Sequence, residues 1–254
     1  MTQSLTLGVQ LYSGRKFPPV ETQLETVARH GLTTVETFAP FHDDVEATKR
    51  MLDAHGLSAK SGHVSLAMLE GEPERVVAIA RRLGMTFVVG PFLPPAERPS
   101  TVEGWKAMGA RLGAVEASLS SAGLRFAWHN HDFEFQPLED GSLPIEHLLG
   151  DRLQWEADLA WVIRGGASPR QWIERYSGRI PLVHVKDIAP AGEKADEDGW
   201  ADVGAGTLSW AELWPLCVGA GAECMIAEHD NPSDFDRFVG VSAETMRGYA
   251  KGER

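Results

Sequence analysis

Cysteine is nearly absent from this chain. Its two examples in 254 residues, Cys217 and Cys224, are too few and too close together to read as the disulfide framework of a secreted protein. Positive charge is also short, with 24 lysines and arginines against 36 aspartates and glutamates, a formal net charge of -12. A protein that grips nucleic acid normally needs a basic face to neutralise phosphates, so no nucleic-acid partner is expected. No apolar run approaches the roughly 20 residues needed to span a bilayer, so no membrane partner is expected either. The start, MTQSLTLGVQLYSG, lacks a basic stretch followed by a long apolar one; it does not read as a signal peptide, and a cytoplasmic location is the expectation. Nucleotide-binding fingerprints are missing as well. No G-x-G-x-x-G follows the first apolar run, no G-x-x-x-x-G-K-[ST] occurs, and Gly204-Ala-Gly206 is too short a signal to count.

What the chain has is an alternation of short apolar runs with longer amphipathic ones. Strands are expected at 5–12, 33–38, 57–66, 85–92, 124–131, 153–159, 180–187 and 222–230. Helices are expected at 20–31, 43–56, 72–84, 102–123, 144–150, 168–179, 209–221 and from about Phe235 to Lys251. Glycines close the early helices just before the next strand. A Gly-rich, charged loop covers 189–206. Nothing resembling a linker separates these units, and strands alternating with helices imply a parallel sheet with right-handed crossovers. Eight units in a length close to the roughly 250 residues of a typical (β/α)8 barrel favour one TIM-barrel domain over 1–254 rather than an open doubly wound sheet.

A barrel exposes its chemistry at the carboxyl ends of its strands, and five of the nine histidines fall there with a carboxylate close by. Asp158, His184 and Glu228 end the sixth, seventh and eighth strands. Such a mixture of carboxylates and imidazole suits a divalent ion such as Mn²⁺, Co²⁺ or Mg²⁺ better than a structural zinc, which prefers thiolates. The alternative is an ion pair of these residues with Lys186 or Arg164. The densest cluster is Trp128-His-Asn-His-Asp-Phe-Glu-Phe135, in which His129 and His131 alternate and so share a face. Glu134 lies just beyond them, free to fold back as a further ligand. Lys186 shares a face with His184, where it either stabilises a developing enolate or caps a barrel rung. His63 and Glu36, at the ends of strands three and two, either bind a substrate hydroxyl or are satisfied barrel residues. Trp200, in the long loop, either stacks on a sugar ring or pins the loop down. His30 and His55 each precede a glycine at a helix end, where an interaction with the helix C-terminus accounts for them.

Gln10-Leu-Tyr12, the His129–Phe135 run, Asp158-Leu-Ala-Trp161, Gly178-Arg-Ile-Pro-Leu-Val-His-Val-Lys-Asp187 and Glu228-His-Asp230 occur in an order that resembles the sugar phosphate isomerase/epimerase family, the xylose-isomerase-like TIM barrels. The H-x-H-x-x-E run places the chain nearest a subgroup of that family. The resemblance implies metal ligands Glu134, Asp158, His184 and Glu228, and the candidate substrate contacts beside them are Gln10, Glu36, His63, His129 and Trp200. In the ketose epimerases of the superfamily the first ligand is a glutamate on strand five itself, where this chain has Trp128 and His129. His129 or His131 is therefore the substitute for Glu134 as first ligand.

The chemistry implied is proton abstraction next to a carbonyl through an enediolate, supported by Mn²⁺ foremost or by Co²⁺, Mg²⁺ or Zn²⁺. Glu134, Glu228, His129 and His131 are the candidate bases, with Lys186 beside them. An isomerase or epimerase acting on an unphosphorylated sugar, keto-glycoside or cyclitol is the expectation, because no phosphate clamp is visible. An inosose-type dehydratase and a non-catalytic sugar-binding barrel are the alternatives, and the acidic charge opposes a DNA endonuclease on the same barrel. Association into a homo-oligomer is left open.

Overall fold

A computed structural model describes residues 5–253. Met1–Ser4, on which part of the reading of the amino-terminal stretch rests, lie outside the described residues. Eight parallel strands close into a barrel in the order β1-β10-β7-β6-β5-β4-β3-β2. They are β1 (Thr6–Gln10), β2 (Thr34–Thr37), β3 (Ser58–His63), β4 (Phe87–Gly90), β5 (Arg125–His129), β6 (Gln154–Asp158), β7 (Leu182–Val185) and β10 (Cys224–Ala227). Two short strands, β8 (Asp187–Ile188) and β9 (Trp200–Ala201), pair antiparallel outside the barrel. The helices are α1 (Val20–Arg29), α2 (Val45–Ala54), α3 (Leu66–Gly71), α4 (Pro73–Leu83), α5 (Val102–Ser121), α6 (Pro144–Leu149), α7 (Leu159–Arg164), α8 (Pro169–Arg175), α9 (Trp210–Gly219) and α10 (Phe235–Lys251). Among the described residues, no helix is long and apolar enough to cross a membrane.

Period-two alternation divides each strand between two environments. One set of side chains packs outward beneath the helices, where Trp128, Trp155 and Val183 join the main core. The other set faces the barrel axis. Phe87, Val89, Ala127, Leu182, Cys224 and Ile226 form a separate apolar cluster there. Towards the carboxyl ends of the same strands the inward residues turn polar, so the barrel has an apolar plug beneath a polar mouth. Cys217 and Cys224 are both free and buried.

Several elements differ from the sequence expectation for local reasons. β3 stops at His63 because the Ser65 side chain accepts the Met68 N–H and caps α3. β5 stops at His129, and Phe133–Phe135 forms a single 3-10 turn. The expected seventh strand breaks at Lys186. Asp158 itself starts α7, its Oδ1 accepting the Trp161 N–H at 2.9 Å. The 189–206 loop is fastened by Asp187, whose carboxylate accepts the N–H groups of Ile188, Gly204 and Leu208 at 2.9–3.0 Å. A Cβ at Gly206 would lie 2.2 Å from Asp187 Oδ1, so this turn admits only glycine.

Candidate metal centre and substrate cavity

Strand register brings the polar residues to one level. His129 pairs with Glu156 across β5 and β6, Asp158 with His184 across β6 and β7, and Gln10 with Glu36 across β1 and β2. Ile226 pairs with His184, so Glu228, two residues further on, stands beside and above that imidazole. The Glu228 N–H donates to Val185 O at 3.1 Å, which extends the sheet to this position.

His184 is the hub. Its Nδ1 lies 2.9 Å from Glu228 Oε2, while its Nε2 lies 2.7 Å from Glu36 Oε1 and 3.2 Å from Glu156 Oε2. His63 Nε2 meets the same two deep carboxylates, Glu156 at 2.7 Å and Glu36 at 3.0 Å. Gln10 Nε2 donates to Glu36 Oε1 at 2.7 Å. Beside this array the fully buried Lys186 ammonium lies 2.8 Å from Glu228 Oε2, 2.9 Å from Asp230 Oδ2 and 3.1 Å from Asp158 Oδ2.

Burial and neighbouring charge set the proton affinities. Burial works against charge on Glu36, but the imidazoles of His63 and His184 hold its carboxyl well below the usual range. Burial likewise opposes charge on His63, yet Glu36 and Glu156 raise it to about 10. His184 is raised well above the ordinary imidazole value, against its burial, by Glu156 and Glu228. Burial, together with the Glu36 charge, pushes Glu156 up to about 7. Glu228 is buried but held well below the usual range by Lys186 and His184. Burial lowers His129 well below its usual value, with the His184 charge adding to it. Burial, followed by Lys186, lowers His131 to about 3.

Two sets of potential ligands overlap in this array. His129, Asp158, His184 and Glu228 form one at the mouth; His63, His129, Glu156 and His184 form the other below it, and within each the ligand atoms lie within 4.8 Å of one another. His129 Nδ1 and Asp158 Oδ2 are buried without a hydrogen-bond partner, although Asp158 Oδ2 faces the Lys186 ammonium. Two imidazoles and two carboxylates with buried atoms lacking hydrogen bonds are a donor set that fits a divalent cation.

A cavity of about 450 Å³ opens onto the mouth set. His63, His129, His131, Glu228 and Asp230 supply its polar lining, and Tyr12, Phe38, Phe92 and Trp161 supply aromatic walls. Among the described residues, no lysine or arginine lines it.

Asp158, His184 and Glu228 come together as the sequence suggested, and His63, His129 and His131 reach the cavity. Glu134 does not join them. Trp128 and His129 alternate to opposite sides of β5, and Glu134 follows Trp128, accepting its indole N–H at 3.0 Å and the His131 backbone N–H at 2.8 Å. Burial pushes its carboxyl up to about 8. Gln10 and Glu36 form the floor under the mouth and do not line the cavity. Trp200 is buried behind Trp161, 4.8 Å from it edge to face, with the Arg164 guanidinium 3.2 Å from its ring centre. It pins the loop, and Trp161 provides the wall. Sequence reasoning passed over Glu156 and Asp230. The signal for Glu156 was present, since a residue two before Asp158 on a strand must share its inward face.

This arrangement defines the protein as a (β/α)8 barrel with a polar mouth whose donor set fits a metal ion. No protein-family model matches the chain. A crystal structure of a sugar phosphate isomerase/epimerase from Parabacteroides distasonis superposes with a TM-score of 0.80 over 97% of this chain and 94% of that one, at 21% identity. A xylose isomerase-like TIM barrel protein from Mycobacterium smegmatis, solved in complex with magnesium, gives 0.70 over 98% and 96% at 16% identity. In sequence, 199 residues are 25% identical to the rhizopine catabolism protein MocC of Rhizobium meliloti, covering 71% of this chain and 61% of that protein. The chain thus spans about three fifths of that relative's length. These solved structures share the barrel fold that the resemblance read from the sequence implied.

Proposed function

We propose that the protein is a divalent-metal-dependent isomerase or epimerase that moves a proton at the carbon beside the carbonyl of an unphosphorylated sugar, keto-glycoside or cyclitol. The observation that carries this is the 450 Å³ cavity, walled by aromatic rings, that ends on Glu228 and His129 of the mouth set. His129, Asp158, His184 and Glu228 hold the ion, with Mn²⁺ the first choice and Mg²⁺, Co²⁺ or Zn²⁺ as substitutes. Such an ion, when bound, supplies Lewis acidity towards a carbonyl oxygen and its neighbouring hydroxyl.

The remaining work falls to the chain. Trp161, Phe38, Tyr12 and Phe92 receive the C–H faces of a ring and exclude water. Asp230 and Glu228 accept hydrogen bonds from its hydroxyls. His131, in the cavity wall with a buried Nδ1 that has no hydrogen-bond partner, takes the proton from carbon. Returning that proton to the opposite face gives the epimer, and returning it to the neighbouring carbon gives the isomer. Lys186 reaches no substrate; it offsets the charge of Asp158, Glu228 and Asp230 from below. The lack of a lysine or arginine among the described residues of the cavity lining favours a substrate without phosphate.

Loss of a β-hydroxyl from the same enolate is the second reading. His63 favours it, because it lines the cavity and carries a proton it could give to the leaving oxygen.

The test is proton exchange in D₂O, followed by NMR, against a panel of ketoses, inososes and 3-keto-glycosides with and without Mn²⁺. The proposal expects metal-dependent deuterium uptake beside the carbonyl, reduced about 10²–10⁴-fold by His131→Asn, the range for loss of a general base. Exchange unaffected by both metal removal and this substitution would overturn it. Dehydrated product would select the second reading.

A further inference from the structure

A second cavity, of about 270 Å³, opens beside the one that ends on the mouth set. The two share Ala39, His63 and Ser65 in their walls, so they are compartments of one cleft. The chemistry above uses only the first. The second lies between the 3-10 turn Ala39–His42, which follows β2, and the chain that leaves β3 for α3. In the closed barrel β2 stands opposite β6 and β3 opposite β7, so this compartment lies across the mouth from Asp158 and His184. A ring whose carbonyl faces those ligands turns its far side towards it.

The two linings differ in kind. Aromatic rings wall the first, as suits the C–H faces of one sugar ring. The second has no aromatic ring but imidazole; His42, Asp43, Ser65 and Glu72 supply its polar groups, with apolar surface from Val64 and Met68. His42 is buried, and its Nε2 lies 3.0 Å from Thr37 Oγ1, which fixes the ring in the compartment wall. Burial lowers its pKa to about 4, so the imidazole is neutral. Ser65 Oγ accepts the Met68 N–H at 3.3 Å and keeps its own proton to donate. Glu72 is tied to Arg75 at 3.0 Å, which leaves Asp43 as the carboxylate without an ion pair among the described residues. No lysine or arginine lines the compartment among the described residues. Neutral donors and acceptors beside a carboxylate match hydroxyl groups and repel an anion.

We propose that this compartment is a subsite for a sugar residue linked to the ring that reacts, so that the substrate is a keto-glycoside of at least two rings and not a free ketose or cyclitol. This rests on the isomerase or epimerase proposed above and selects among its substrates. The second residue is remote from the reacting carbon; its contacts hold the first ring against the mouth set, and remote contacts of this kind raise kcat/KM.

The experiment compares proton exchange in D₂O, with Mn²⁺ present, for the methyl 3-keto-glucosides of both anomers and for 3-keto-maltose and 3-keto-cellobiose oxidised on the non-reducing ring. For at least one disaccharide kcat/KM should exceed that of the matching methyl glycoside by about 10–100-fold, the gain from a few net hydrogen bonds. Ala67 is exposed in the wall of the second compartment and lines no part of the first, so a large side chain there fills the subsite. Ala67→Trp should abolish the disaccharide's advantage and His42→Ala should reduce it, with thermal unfolding confirming that each variant is folded. Equal kcat/KM for methyl glycosides and disaccharides in the unaltered protein, or an advantage that survives in both variants, overturns the subsite and leaves the proposed function standing. Exchange with ketoses or inososes alone does the same. Exchange with none of these compounds overturns both.

Discussion

Lys186 has no exposed surface, and three carboxylate oxygens surround its ammonium at 2.8–3.1 Å. Its burial alone would favour the neutral amine, but Asp158, Asp230 and Glu228 together raise its pKa further. Replacing it with methionine strands those carboxylates, so Lys186→Met should cost the metal-free protein about 3–5 kcal/mol, the usual loss when one partner of a buried ion pair is removed. Urea unfolding measures this, and a loss under about 1 kcal/mol would contradict the reading. Ligand assignments divide in the same way. Asp158→Asn and Glu228→Gln should lose the mouth ion with little loss of fold. Glu134→Gln should keep it, because the Glu134 carboxylate faces the Trp128 indole N–H and the His131 N–H instead. Metal loss in Glu134→Gln, read by elemental analysis, would return that residue to the ligand set. The sequence made Asp158, His184 and Glu228 visible because each ends an apolar run. It could not show which way the chain turns after His129, since that depends on Trp128 packing outward and drawing Glu134 with it.

The elements were the most legible part of the molecule, because most barrel strands lie in short apolar runs and most outer helices in longer amphipathic ones. The differences come from side chains that cap. Asp158 reads as the end of a strand and is also the N-cap of α7; Ser65 turns the end of β3 into α3. Both are local caps made by a single polar residue, which no periodicity reveals. The 189–206 loop read as irregular, yet it contains β9, pinned by Trp200 against Trp161 and Arg164 and tied to α10 by Arg237, which donates to Glu197 at 2.6 Å and to Asp202 at 2.8 Å. Removing the indole empties a buried volume, so Trp200→Ala should destabilise the protein by about 3–5 kcal/mol, as large-to-small core changes do. It should also weaken the Trp161 wall of the cavity. A change below about 1 kcal/mol in denaturant unfolding would mean that the loop is not packed as described.

The whole barrel couples metal to pH. In the metal-free protein His63 has its pKa raised to about 10 by Glu36 and Glu156, against about 6.5 in an unfolded chain. A raised imidazole pKa stabilises the fold fully below about pH 6.5, and that contribution is lost as pH rises through 10. The stripped protein should therefore unfold more easily at pH 9 than at pH 7, and His63→Asn should reduce the difference. Metal binding runs in the opposite sense. His184 must give up a proton that Glu156 and Glu228 help it to hold, so affinity for Mn²⁺ should increase from pH 6 to pH 8 with proton release. Flat affinity over that range would show that His184 is not a ligand. The most direct measurement is an anomalous-difference map from a crystal of the protein soaked in Mn²⁺. The account predicts a peak bounded by His129, Asp158, His184 and Glu228, about 2 Å from their ligand atoms; a map with no peak among these four residues would contradict it.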